Sequence, residues 1–179
     1  MCAIEYYTYE DYKNWEGKWE LIDGIPLAMA PSPIKTHQLL TTLISFQLLK
    51  KLLKCPKCEV MVEIDYKINE DTILKPDVVV TCKDDKNEKY ISVAPNIIVE
   101  IISPSTAKRD EKFKFEIYEA EKVQYYILVY PNDNKAKIYK HNGEKYIKVD
   151  DFTTQKYKFD KLDCEAEIDF SEVFERFIK

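Results

Sequence analysis

Two carboxylates stand where carboxylates are costly. Glu100 interrupts Asn96-Ile97-Ile98-Val99-Glu100-Ile101-Ile102, a run otherwise apolar on both faces, and Asp77 opens the apolar segment Pro76-Asp77-Val78-Val79-Val80. An unpaired charge buried in such a strand costs on the order of several kcal/mol. If the two strands are neighbours, both carboxylates converge near one end of a buried sheet, where like charges raise each other's pKa unless a divalent cation neutralises them. Magnesium suits such a site because it takes few carboxylates and keeps waters for chemistry, and manganese can substitute. Downstream, Asp110, Lys114 and Tyr118 recur at i, i+4 and i+8, on one ridge of a helix leaving the Glu100 strand. Lys114 can therefore point back over the strand end. Asp77 and Glu100 around a cation, with Lys114 orienting a water or stabilising developing charge, are the equipment of metal-assisted phosphodiester hydrolysis. A purely structural reading competes with this one: Asp77 caps a strand, Glu100 pairs with a core lysine, and Lys114 bridges to Asp110.

The elements that must position these residues follow from pattern. Thr8-Tyr9-Glu10-Asp11 predicts a short helix over roughly 8–14, a hydroxyl cap followed by an acidic first turn. Trp19–Ile22 and Ile25–Met29 flank Asp23-Gly24, a hairpin signal. Lys35 to Lys54 reads as a long helix with a broad buried face. Val60, Val62, Ile64 and Tyr66 alternate with Met61, Glu63, Asp65 and Lys67 as one half-buried strand. The segments beginning at Pro76 and Asn96 are strands, the second covered on both faces. Ser103-Pro104-Ser105-Thr106 ends the latter and caps a helix over about 106–121, with Phe113, Ile117 and Ala120 as its inward stripe. Tyr125–Tyr130, Ala136–Lys140 and Tyr146–Val149 form a meander, and Glu165–Ile168 with a short helix from Ser171 closes the chain. The expectation is one α/β (α+β) domain spanning 1–179: a mixed central sheet flanked by helices, with a C-terminal β-meander.

Composition excludes several alternatives. Three glycines, at 17, 24 and 143, cannot build a Walker loop or a GxGxxG turn, and no GxSxG elbow is present. His37 and His141 are too few for a histidine-rich metal centre. No apolar run reaches the ~18 residues of a membrane span, and the N-terminus lacks the basic-then-apolar pattern of a secretory signal. The expected location is the cytoplasm, away from membranes. Five scattered cysteines agree, reading as reduced thiols; Cys55-Pro56-Lys57-Cys58 is a lone CxxC with no second pair following it at zinc-site spacing. Its expected role is structural or incidental, with a disulfide or a shared metal site as the alternative. The net charge of −5 counts mildly against a DNA-coating protein. Asp160 to Lys179 carries seven acidic and three basic residues, so the rest of the chain is close to neutral.

The strings Pro76-Asp77 and Glu100-Ile101-Ile102 resemble the first two parts of the PD-(D/E)xK nuclease signature. More specifically, the chain resembles a family of short, stand-alone restriction-endonuclease-like proteins, often known only as a domain of unknown function. The pattern is carried by Trp19-Glu20-Leu21-Ile22-Asp23-Gly24, by Met29-Ala30-Pro31-Ser32-Pro33 with His37-Gln38, and by Pro76 to Val80. It continues through Pro95 to Thr106, then Asp110, Lys114 and Tyr118, and Val123-Gln124-Tyr125-Tyr126, spanning roughly residues 5 to 175. The resemblance implies a restriction-endonuclease-like fold, a magnesium-type cofactor, and Asp77 and Glu100 as metal ligands. Ile102 departs from it, occupying the usual lysine position; Lys114 on the following helix matches the substitute, with Lys112 and Lys108 as fallbacks. Glu20 matches an auxiliary metal ligand, or is an exposed hairpin glutamate. His37 could meet a phosphate or simply start a helix; Tyr118 could hold Lys114 or pack in the core. Ser103 and Ser105 read mainly as strand exit and helix cap, although their amides could meet a phosphate. The implied function is a metal-dependent endonuclease acting on nucleic acid, DNA first, as a homodimer, because cutting two strands with one small subunit is easiest with two copies. The alternative is an inactive nucleic-acid-binding or accessory protein that keeps the fold.

Overall fold

The computed structural model describes residues 5–29, 34–82, 88–104 and 107–177. A four-residue helix, α1 (Tyr9–Tyr12), follows Thr8, whose backbone N–H donates to the Asp11 carboxylate. Strands β1 (Trp19–Ile22) and β2 (Ile25–Ala28) then form the expected hairpin. Its two turn residues both take positive φ, Asp23 at 49° and Gly24 at 74°, the backbone that a two-residue primed turn requires. Next come α2 (Lys35–Leu52), β3 (Glu59–Val62), β4 (Asp65–Lys67), β5 (Ile73–Leu74), β6 (Val78–Thr81), β7 (Tyr90–Ile91) and β8 (Ile97–Ile101). A π-helical turn over Arg109–Lys114 runs directly into α3 (Phe115–Ala120). The chain continues through β9 (Tyr125–Tyr130), β10 (Lys135–His141), β11 (Tyr146–Phe152), β12 (Lys156–Phe159) and β13 (Ala166–Asp169) to α4 (Phe170–Phe174).

The central sheet has six strands in the order β11-β10-β9-β8-β6-β3. Only β8 and β9, joined by the crossover through α3, run parallel; the other pairs are antiparallel, and β9-β10-β11 is the expected meander. A smaller sheet, β2-β1-β5-β4-β7, carries the hairpin. Alternation along β8 divides two cores. Ile97, Val99 and Ile101 pack with Leu40, Ile44 and Leu48 of α2, while Ile98 and Ile102 pack with Val79, Tyr118, Tyr126 and Leu128 on the opposite face. Glu100 shares parity with Ile98 and therefore belongs to the second face.

Several expectations are corrected. The run from Val60 to Tyr66 is two strands in different sheets, because Glu63 takes φ 50° and turns the chain between β3 and β4. The buried face of α2 is a narrow i, i+4 line, Leu40, Ile44, Leu48 and Leu52, while Phe46, Leu49 and Leu53 are exposed. Phe113 and Ala120 are exposed as well, and the inward ridge is Asp110, Lys114 and Tyr118. The π turn and a polar interior account for that reversal: the stripe is chosen by charge pairing, not by apolar periodicity. Short strands β5 and β7, two residues each, carry no alternating pattern long enough to announce them, whereas the alternation Lys156-Tyr157-Lys158-Phe159 of β12 was overlooked. The cap residues Ser105 and Thr106 lie outside the described residues. Four of the five cysteines are not scattered thiols: Cys55 is disulfide-bonded to Cys164 and Cys58 to Cys82, while Cys2 lies outside the described residues.

The narrow α2 face makes a measurable distinction. Ile44→Ala is expected to cost about 2–5 kcal/mol of unfolding free energy, whereas Phe46→Ala should stay within about 0.5 kcal/mol of wild type. Urea unfolding of both variants checks this; equal losses would restore the broad buried face.

Candidate active site

Lys114 is the centre of the arrangement. The π turn follows β8 and packs on the same face as Glu100, which brings the ammonium down onto the end of the sheet. Its Nζ lies 2.7 Å from Glu20 Oε1, 2.8 Å from Glu100 Oε1 and 3.4 Å from Asp110 Oδ1. All four side chains are withdrawn from solvent: Glu20 is 0% exposed, Lys114 1%, and Glu100 and Asp110 3% each. Three elements thus deliver carboxylates to one cation: β1, far off in sequence, β8, and the π turn that carries the lysine itself.

The remaining contacts fix the orientation of each group. Glu20 Oε1 also accepts the Lys75 backbone N–H at 3.0 Å, and Glu20 Oε2, which has no hydrogen-bond donor among the described residues, lies 3.6 Å from an Arg109 guanidinium nitrogen. The Tyr118 hydroxyl donates to Glu100 Oε1 at 3.2 Å, and the Tyr126 hydroxyl donates to the Asp110 carbonyl at 2.9 Å. Asp77 precedes β6 and sits one step beyond the Val78–Val99 pair, so the antiparallel register sets it across from Glu100. It shares parity with Val79, which packs on the same face as Glu100. Asp77 Oδ2 accepts the Ile101 backbone N–H at 2.7 Å and lies 3.2 Å from His37 Nε2. The site opens at this pair, the side chains of His37 and Asp77 being 17% and 11% exposed.

Electrostatics follow from burial and from the count of charges. Burial pushes the Glu100 carboxyl well above the usual carboxylate range; Lys114 opposes the rise, while Asp110, Asp77 and Glu20 add to it. Burial alone would favour a neutral Lys114, but Glu100, Glu20 and Asp110 outweigh it and hold the ammonium well above its ordinary range. Burial likewise disfavours a charged His37, and its hydrogen bond with Asp77, together with the charge there and at Glu63 and Asp110, overcomes this to raise the imidazole above 6.5. Among the described residues, four carboxylates therefore face the Lys114 ammonium, the Arg109 guanidinium and the His37 imidazole, a surplus of carboxylates in a buried place. A divalent cation fits this set: carboxylate oxygens are the donors a hard ion takes, and Glu20 Oε2 lacks a donor.

Of the residues singled out from sequence, Glu20, Glu100, Asp110, Lys114 and Tyr118 meet directly, and Asp77 and His37 form the adjoining pair. Glu20 is a buried strand residue, not an exposed hairpin glutamate. Lys108 and Lys112 are exposed, which leaves Lys114 as the inward lysine. Lys75, Tyr126 and Arg109, one of two arginines in the chain, were not anticipated. Arg109 stood next to Asp110 in sequence, but only the π turn shows it reaching Glu20.

A mixed sheet with a strand–helix–strand crossover and carboxylates at the end of its central strands defines a restriction-endonuclease-like fold. Residues 5–158 match the Uma2 family, described as "Putative restriction endonuclease", and the chain belongs to that family. The uncharacterized protein slr1290 of Synechocystis sp. (strain ATCC 27184 / PCC 6803 / Kazusa) is 32% identical over 145 residues, which are 75% of this chain and 74% of that one. A crystal structure of a putative nuclease belonging to DUF820, from Anabaena variabilis ATCC 29413, superposes with a TM-score of 0.76. The likeness covers 96% of this chain and 99% of that one at 14% identity, and it shows a shared fold.

Two outcomes follow from the charge arrangement. Lys114→Met strips the cation from buried carboxylates and is expected to cost about 3–5 kcal/mol in urea unfolding, where an exposed pair would cost almost nothing. His37 has a folded pKa raised above 6.5, so the stability it contributes is full below that value and is lost as pH rises through the folded pKa. The Tm gap between wild type and His37→Gln should therefore shrink with rising pH across that window. A gap that widens instead would mean His37 is held neutral.

Proposed function

We propose that the chain is a single-domain, divalent-cation-dependent endonuclease that hydrolyses phosphodiester bonds in DNA, in the cytoplasm and as a homodimer. The observation that carries this reading is the surplus of buried carboxylates, Asp77 and Glu100 from paired strands with Glu20 beside them, around one lysine. Asp77 and Glu100, with Glu20 as auxiliary, would hold magnesium, or manganese in its place. When bound, such an ion supplies an electrophilic centre for the phosphate and acidifies a water.

The chain's own residues do the rest. The Ile101 amide aims the Asp77 carboxylate, and Tyr118 and Lys114 aim Glu100. Lys114, kept protonated by its neighbours, offers a fixed positive charge where a phosphoryl group gains negative charge, and because the site is dry that charge is weakly screened. Asp110 and Glu20 fix its position. His37, raised in pKa beside the open edge, can donate to a phosphate oxygen approaching from solvent. Membership of a family described as "Putative restriction endonuclease" and a structural neighbour described as "a putative nuclease" support the reaction class.

A second reading is favoured by one observation. The Lys114 ammonium already lies within 3.4 Å of three carboxylates, which is also how a structural clamp would look. On that reading the protein binds nucleic acid without cutting it. Supercoiled plasmid with magnesium or manganese separates the two. Nicking by wild type, reduced by at least roughly 10²–10³-fold in Asp77→Ala and Glu100→Ala that still melt cooperatively, is the expected result. Equal cutting by all three proteins would sink the assignment, and steeply salt-dependent binding without cutting would establish the second reading.

A further inference from the structure

At the far end of α2 from His37, three distant parts of the chain bring four cysteines together. Cys55 and Cys58 lie between α2 and β3, Cys82 follows β6, and Cys164 lies between β12 and β13. The Sγ atoms of Cys55, Cys58 and Cys164 all lie within 4.8 Å of one another, and Cys82 joins them through its bond to Cys58. Two structural disulfides need no such proximity, since each is complete with its own two sulfurs. A tetrahedral ion does need it: with Zn–S bonds near 2.3 Å, the four sulfurs of such a site lie about 3.8 Å apart.

We propose that this cluster is a zinc site with four cysteine ligands. The backbone is already shaped for it. Pro56-Lys57 forms a turn closed by the Cys58 N–H donating to the Cys55 carbonyl at 3.3 Å, and the Cys55 N–H donates to Leu52 at the end of α2. Proline at the second position of that turn pre-sets the geometry, so both sulfurs of the CxxC leave the loop together. The remaining ligands come from 24 and 109 residues away, which is why the short motif looked incomplete as a sequence. Cys55, Cys58 and Cys82 are buried at 6%, 8% and 4% exposure on the edge of the α2 core, and Cys164 packs against it. Four thiolates around one divalent ion carry about two excess negative charges; the exposed Lys54 precedes the knuckle and the exposed Lys57 lies within it. An iron–sulfur cluster places inorganic atoms between its cysteines and calls for a wider cage than this one.

The two oxidation states exclude one another. Each disulfide takes two electrons and two protons from a dithiol reductant, which leaves as its own disulfide. The four thiols then lose their protons to solvent as four Zn–S bonds form. The site would tie α2 and β6 together at their far ends. Those are the helix that carries His37 and the strand that Asp77 precedes, so the ion acts as a fixed anchor about 27 Å along α2 from the open edge.

The full-length protein, reduced with a dithiol and dialysed without chelator, tests this. About one equivalent of zinc per chain is expected, with the four thiols protected from alkylation until a chelator is added. Cobalt in place of zinc should give the visible bands of a tetrahedral tetrathiolate. Cys164→Ser should weaken zinc binding by more than the roughly 10–100-fold that loss of an outer-shell partner costs. If that variant does not fold, the wild-type cobalt spectrum decides alone. Reduced protein that takes up neither zinc nor cobalt overturns the proposal, as does iron in the site or a mass showing both disulfides intact after dithiol treatment. None of these readouts involves cleavage, so a failed nuclease assay leaves the zinc site standing or falling on its own.

Discussion

The structure turns on one buried ammonium. Moving Lys114 out of water is unfavourable by several kcal/mol unless its partners are close and its three donors are used. Glu20 from β1, Glu100 from β8 and Asp110 from the π turn meet that condition together. Removing the π turn would leave Glu20 and Glu100 without their ammonium, and removing either strand would leave a Lys114 donor without its carboxylate. The smaller sheet is therefore bound to the central sheet by an ionic contact as well as by apolar packing. That contact also explains the π turn, a widened stretch of helix that aims Asp110 and Lys114 inward where apolar periodicity would have placed Phe113.

How much was legible depended on the range of the interaction. The Asp23-Gly24 turn, α2 and the apolar strands β6, β8 and β9 are local patterns, and they stand where composition and periodicity put them. The break at Glu63 was not legible, because alternation continues through it and only the pull of two different sheets reveals the bend. The width of the α2 face was overread for a related reason. Eight apolar residues on that helix, with Leu53 just after it, cannot all face one sheet, and sequence does not say that no element covers Phe46, Leu49 and Leu53 among the described residues.

The site was legible to the extent that burial makes a charge conspicuous. Glu100 in its apolar run and the Asp110–Lys114–Tyr118 ridge announced themselves. Arg109 and the Lys75 amide did not, since each acts on Glu20, whose reading as an auxiliary ligand rested on resemblance alone and whose burial became visible only once β5 paired with β1. The cysteine pairings failed for the same reason at longer range: partners at a separation of 109 residues leave no spacing to read.

The two halves of the site differ in a way that bears on what Lys114 can do. Glu20, Glu100 and Asp110 hold the ammonium from the buried side, while Asp77 is held by a backbone amide and by His37 at the open edge. Strand register alone joins these halves. Val78 opposite Val99 puts Asp77 opposite Glu100 on the face that the π turn covers. A slip of one residue between β6 and β8 would move one carboxylate to the α2 side of the sheet and leave the other without its cross-strand partner. The apolar alternation that fills the two cores therefore also sets the carboxylate pair. Side chains such as Ile98 and Val79, which do no chemistry, decide whether a cation at the sheet end would meet one carboxylate or two.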